Sequence, residues 1–218
     1  MENIEKRYIK EIRAEGDTRS IVGTAIVFDE PSVFMGFNEI IRKEAVTEDL
    51  IKSSDIVFLY NHNDDFVPLA RSKNGKGTLK ISVNDGGVDF SFNAKKTSLG
   101  DEVLEAVRAG DLDACSFAFA VPEGGDNWSK LSDGNYLRTI NKIDVLRDFS
   151  IVPYPAYPAT SVNTRGLDEL KAKEELEQRV DPMVDPEAEP ETEPEDTPEQ
   201  ELNKYYNNYY ITIYNLTH

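Results

Sequence analysis

The chain has 218 residues, a formal net charge of −17 and 39% hydrophobic residues, enough apolar content for a core and a length suited to one domain with an appendage. So acidic a chain disfavours nonspecific nucleic-acid binding, because phosphates attract basic surfaces and repel acidic ones. One cysteine, Cys115, excludes an internal disulfide; the first 13 residues are charged throughout and no run of 18 apolar residues occurs, so the expectation is a soluble, intracellular protein with no secretion signal and no membrane span.

In chain order, residues 20–28 (SIVGTAIVF) are rich in β-branched side chains and predict a strand. Residues 43–52 predict a short helix and the apolar run 55–60 (DIVFLY) a second strand. Residues 78–83 and 88–92 flank Asn84-Asp85-Gly86-Gly87, a hairpin signal in which glycine would supply positive φ. A helix is predicted over 99–109, with Ser98 and Asp101 in capping-box-like spacing and Gly110 as its stop. Residues 114–121 (ACSFAFAV) read as a strand, and 136–140 with 142–152 as a longer hairpin, ended by the stiff Pro153-Tyr154-Pro155-Ala156-Tyr157-Pro158 segment. Strands with a few short helices predict a mainly β fold with flanking α-helices, a β-barrel or a curved sheet with the helices packed outside.

Composition changes near Arg165-Gly166. Residues 167–218 hold 15 acidic and 4 basic residues, against 26 and 20 in residues 1–166. A domain over 1–166 and an acidic tail over 167–218 are therefore expected. Residues 167–180 have helical composition with sparse leucines, as in a solvated or partner-dependent helix. Prolines then recur at 182, 186, 190, 194 and 198 among acidic residues, so 181–201 reads as disordered. The aromatic residues 204–218 read either as a β-prone segment or as an artefact of where the reading frame ends.

Histidine is scarce, only His62 and His218. His62 follows the strand 55–60 directly, in YNHNDD, where a rigid element meets a loop. A plain polar-turn histidine fits that position too, as does a cation site with Asp64 and Asp65, although a second histidine is missing. On a strand, Ser116, Ala118 and Ala120 share one small-residue face, while Cys115, Phe117, Phe119 and Val121 share a large apolar one. Ser116 is either a hydrogen-bonded strand serine or a nucleophile with room beside it. Cys115 points to the core face, where a thiolate is disfavoured. Asp148, in the apolar strand LRDFSIV, needs a partner, which is either a histidine to orient or an arginine. A serine is a poor nucleophile without a base, and the chain offers histidine, serine and acid in that order.

The ordered pieces Gly23-Thr24-Ala25-Ile26-Val27-Phe28, Leu59-Tyr60-Asn61-His62, Gly75-Lys76-Gly77-Thr78-Leu79, Gly86-Gly87-Val88-Asp89-Phe90, Ala109-Gly110-Asp111-Leu112, Cys115-Ser116-Phe117-Ala118-Phe119, Asp148-Phe149-Ser150-Ile151-Val152 and Pro155-Ala156-Tyr157-Pro158 extend over residues 7–166. Together they resemble the prohead maturation proteases of tailed phages, whose fold is related to the herpesvirus assemblins. The resemblance implies an assemblin-like fold with His62 as base and Ser116 as nucleophile. The assemblin-like site has a second histidine as its third member; here the place falls to Asp148. It further implies a serine endopeptidase, without cofactor or metal, enclosed in the prohead in the host cytoplasm and not secreted. Its expected partners are scaffold segments and the major capsid protein as substrates, and itself by autocleavage or as a homo-oligomer. The oxyanion-hole donors stay open between Arg147, Arg71 and backbone N–H groups. The rival readings are a catalytically inactive capsid-assembly or scaffold protein that keeps the fold, and a β-barrel binding module.

Overall fold

The β-branched and apolar runs become strands in a computed structural model that describes residues 4–9, 11–153 and 165–179. In order these are β1 (Glu5–Ile9), β2 (Ile12–Ala14), β3 (Ser20–Val27), β4 (Asn38–Ile41), α1 (Glu48–Ser53), β5 (Asp55–Tyr60), β6 (Ala70–Lys73), β7 (Lys76–Gly77), β8 (Lys80–Val83), β9 (Gly87–Asn93), α2 (Ser98–Ala109), β10 (Ala114–Ala120), β11 (Asp126–Lys130), β12 (Tyr136–Ile140), β13 (Val145–Val152) and α3 (Arg165–Arg179). The expected segments at 154–158, 181–201 and 204–218 lie outside the described residues.

The fold is mainly β with flanking helices, as its composition predicts, and the strands form open sheets instead of a closed barrel. A six-stranded sheet has the order β1-β10-β13-β5-β6-β7; a four-stranded sheet, β2-β3-β9-β8; and a three-stranded sheet, β11-β12-β4. Met1–Asn127 with Arg138–Asn163 make up one compact unit, and Trp128–Leu137 with Thr164–His218 a second.

In the first unit, the alternation read for 114–121 holds. Cys115, Phe117 and Phe119 join the hydrophobic core with Phe58, Phe90, Phe92 and Phe149. Phe58 lies 4.8 Å from Phe90 and 4.6 Å from Phe92 between ring centroids, tilted contacts worth ~0.5–1.5 kcal/mol each beyond their burial. β1 also faces this side of the sheet, but with charges. The Arg7 guanidinium donates to both Glu39 oxygens at 2.6 Å, and Arg138 donates to Glu5 at 2.5 and 2.9 Å, to Glu39 at 3.0 Å and to Asp126 at 2.6 Å. Burial by itself would lower the Arg138 pKa, but Glu5, Glu39 and Asp126 outweigh it and raise it, so the guanidinium stays charged.

Four local expectations change. The 136–140 and 142–152 strands are not a hairpin: β12 belongs to the three-stranded sheet, whereas β13 lies between β10 and β5. The β8–β9 hairpin forms, but no glycine in it has positive φ. Instead the Asn84 side chain accepts from the N–H of Gly86 at 2.8 Å and of Gly87 at 3.0 Å, and Gly87 is needed because a Cβ there would meet the Ile26 carbonyl oxygen at 2.1 Å. α2 is capped by Thr97, not Ser98, while Gly110 ends it at φ 80°. The helix expected over 43–52 is split by extended Val46 into a 3-10 turn, Lys43–Ala45, and α1.

In the second unit, α3 has Leu167 buried and Leu176 exposed, the largely solvated helix its sparse leucines predict. Glu174 accepts from Lys130 at 2.6 Å and from the Tyr136 hydroxyl at 3.0 Å. Lys130 and Lys171 lie 5.6 and 5.3 Å from the centroid of the Tyr136 ring.

Candidate active site

Three adjacent strands carry the residues singled out from the sequence. β10 pairs antiparallel with β13, which pairs parallel with β5, so Ser116, Ser150 and Leu59 lie abreast, and Ala118, Asp148 and Val57 form the next row. Residues that lie abreast project to the same face of a sheet. This face is opposite the phenylalanine core.

β13 reaches that face through a bulge. Its register with β10 runs Ser116↔Ser150, Phe117↔Phe149, Ala118↔Asp148 and then jumps to Phe119↔Leu146. Arg147 is the extra residue. A bulge sets two residues against one and re-aims the side chains beside it. Leu146 and Phe149 both stay in the core, and the two polar residues between them both line the opposite face.

Strands in a sheet are ~4.8 Å apart, so a residue at the end of β5 must fold back over β13 to reach β10. Asn61 and His62 make that turn with φ of 52° and 54°, a left-handed conformation that costs a non-glycine residue free energy. The turn is held at its backbone. The Asn61 N–H donates to the Ile151 carbonyl at 2.9 Å, and the His62 N–H donates to the Ser150 hydroxyl at 3.2 Å.

The imidazole then lies between serine and acid. His62 Nε2 is 2.6 Å from Ser116 Oγ, and His62 Nδ1 is 2.5 Å from Asp148 Oδ1. An ionised carboxylate accepts only, so Nδ1 carries the proton and Nε2 accepts from the serine hydroxyl. Asp148 is 5% exposed and Ser116 1% exposed, so both contacts are shielded from bulk water. Of the partners open to Asp148, the structure places it with the histidine. Both His62 nitrogens are thereby engaged, and Asp64, considered as a cation ligand, lies instead 3.7 Å from Arg147.

Ser150 was missed in the sequence. Its hydroxyl donates to Asp148 Oδ1 at 2.8 Å and accepts from the His62 N–H, and it is fully buried. Its spacing of two from Asp148 in a strand was the signal that could have found it. Cys115 is buried on the core face, and burial pushes its thiol pKa well up, which leaves no thiolate near neutral pH. Arg71 is held by both oxygens of Asp55, at 2.7 and 2.5 Å.

Beside His62 the same face opens into a pocket of about 500 Å³. Ala118, Val57 and Leu59 contribute apolar walls, and Lys6, Arg71, Arg147, Asp55, Asp64 and Asp148 the charged ones. Among the described residues, no helix is long and apolar enough to cross a membrane.

A family model described as caudovirus prohead serine protease matches residues 6–173. No curated protein and no solved structure matches. The match spans most of the chain, which therefore belongs to the caudovirus prohead serine protease family.

Proposed function

We propose that this member of the caudovirus prohead serine protease family is an active endopeptidase of phage head morphogenesis, with Ser116 as nucleophile, His62 as general base and Asp148 as the acid that orients His62. The observation that carries the reading is the continuous chain of contacts from Ser116 Oγ to His62 Nε2 and from His62 Nδ1 to Asp148 Oδ1.

In this mechanism His62 Nε2 takes the Ser116 proton as Oγ attacks a peptide carbonyl carbon. The Asp148 carboxylate stabilises the imidazolium and remains ionised. Nε2 then returns the proton to the leaving amine, which departs and leaves an ester on Ser116. Water, deprotonated by the same nitrogen, hydrolyses the ester and restores the hydroxyl. Scaffold segments and capsid-protein extensions inside the prohead, within the host cytoplasm, are the proposed substrates, with the chain itself as a further one.

The intact contacts support this reading over a catalytically inactive scaffold protein, for which nothing would maintain a shielded serine–histidine–acid series. The test is labelling of the purified chain by a fluorophosphonate, followed by mass spectrometry. Modification at Ser116 in the wild type, absent in His62→Ala, is expected. No modification at Ser116 in folded protein overturns the proposal.

A further inference from the structure

The walls of the pocket beside His62 carry six charged side chains, and their pairing is uneven. Arg71 and Asp55 neutralise each other through two hydrogen bonds. Asp148 is committed to His62. Among the described residues, Arg147 is ion-paired with Asp64 alone, at 3.7 Å, beyond hydrogen-bond reach, with the two side chains 59% and 74% exposed, a contact worth little in water. Lys6, on the edge strand β1, lies abreast of Ala118, and no carboxylate pairs with it among the described residues.

These two cations bracket Ala118. Lys6 is one strand to one side of it on β1, and Arg147 is the bulge residue on the strand to the other side. The alanine leaves the space between them open, and Val57 and Leu59 line the same pocket. Ala118 is two positions from Ser116 on the same face, ~6.6 Å along the strand, the spacing between alternate residues of an extended peptide.

We propose that Lys6 and Arg147 form a substrate subsite for an acidic side chain, Glu or Asp, within two residues of the scissile bond. The inference rests on the peptidase reading above and adds its substrate class. The apolar walls take the methylene stem, and the two cations take the carboxylate by charge-assisted hydrogen bonds. A basic side chain would meet like charge. An apolar one would bury Lys6 and Arg147 against no acceptor. Segments with acids at alternate positions suit the site, and this chain's own residues 187–195 have that pattern.

The test is a cleavage-site profile. The full chain digests a pool of proteome-derived peptides, new termini are identified by mass spectrometry, and Ser116 labelling by a fluorophosphonate is measured on the same preparation. Glu and Asp should be enriched about tenfold at one position within two residues of the cut. The double variant Lys6→Gln/Arg147→Gln should lose that enrichment, and Lys6→Glu/Arg147→Glu should favour Lys or Arg there. Labelled Ser116 with no acidic enrichment, or enrichment that persists in the double variant, overturns the subsite and leaves the peptidase reading standing. Absence of both labelling and cleavage overturns the peptidase reading, and the subsite with it.

Discussion

The Ser150 hydroxyl joins Asp148 to the His62 turn: it donates to Asp148 Oδ1 at 2.8 Å and accepts from the His62 backbone N–H at 3.2 Å. One buried hydroxyl thus sets both the acid and the strained residue that carries the proposed base. A positioning residue of this kind acts through the geometry of the reacting groups. Ser150→Ala takes a partner from the buried Asp148 carboxylate and from the part-buried His62 N–H, at a cost of ~1–3 kcal/mol. If that cost falls on the transition state, kcat should drop about 10- to 100-fold with KM nearly unchanged. Steady-state kinetics and thermal unfolding on one preparation check this. A lower Tm with unaltered kcat would assign Ser150 to stability alone.

For the nucleophile, Ser116→Ala should abolish peptide hydrolysis while the fold survives, because only one oxygen is lost. Cys115→Ser should keep activity, since burial on the core face already holds the thiol protonated. Cleavage assays with circular dichroism on both variants are decisive. Activity that survives in Ser116→Ala and vanishes in Cys115→Ser reverses the assignment.

Asp148→Asn replaces an acceptor by an amide that can no longer stabilise an imidazolium or select the tautomer. The expected loss in kcat is about 10⁴-fold, the size seen when the acid of a well-studied triad is changed in the same way. Spectroscopic secondary structure should be retained. A loss under tenfold would show that Asp148 is not the orienting group.

The cluster of Arg7, Glu5, Glu39, Arg138 and Asp126 fastens β1 against the core side of β10. Arg138 is 1% exposed, so Arg138→Ala strands buried carboxylates and should cost ~3–5 kcal/mol in chemical denaturation. Lysine at that position should restore little, because one ammonium cannot match the fork that meets three carboxylates. A cost under 1 kcal/mol would mean that the cluster is dispensable.

Glu174 anchors α3 through Lys130 first and Tyr136 second, and these hydrogen bonds hold its carboxyl below the usual glutamate range. An acid with a depressed folded-state pKa contributes stability above its unfolded value, ~4.3, and loses it as pH falls through the lower folded value. Hydrogen exchange in α3 should therefore quicken as pH falls from 5 toward 3, about the unfolded value of 4.3, after correction for intrinsic exchange. Glu174→Gln should remove that pH dependence. An unchanged profile in the variant would show that the contact does not hold the helix.

Much of the fold was legible because its signals are local. Residues 55–60 and 136–140 match β5 and β12 residue for residue, since β-branched and apolar runs state their preference without help. β1 was invisible for the opposite reason. Its core-facing residues are Glu5 and Arg7, whose burial is tolerated only because Glu39 and Arg138 come to them from 32 and 133 positions away.

Residue types alone singled out Ser116, His62 and Asp148, because the chain has one histidine at a strand end, one serine on a small-residue face and one acid in an apolar strand. Their convergence was a tertiary matter. The parallel pairing of β13 with β5, the β13 bulge at Arg147 and the left-handed turn at Asn61 and His62 bring together groups 54 and 86 positions apart. None of these can be read from local preference, because each exists only through the hydrogen bonds of a neighbouring strand. The same holds for Ser150, which looks like any strand serine until His62 is folded over it.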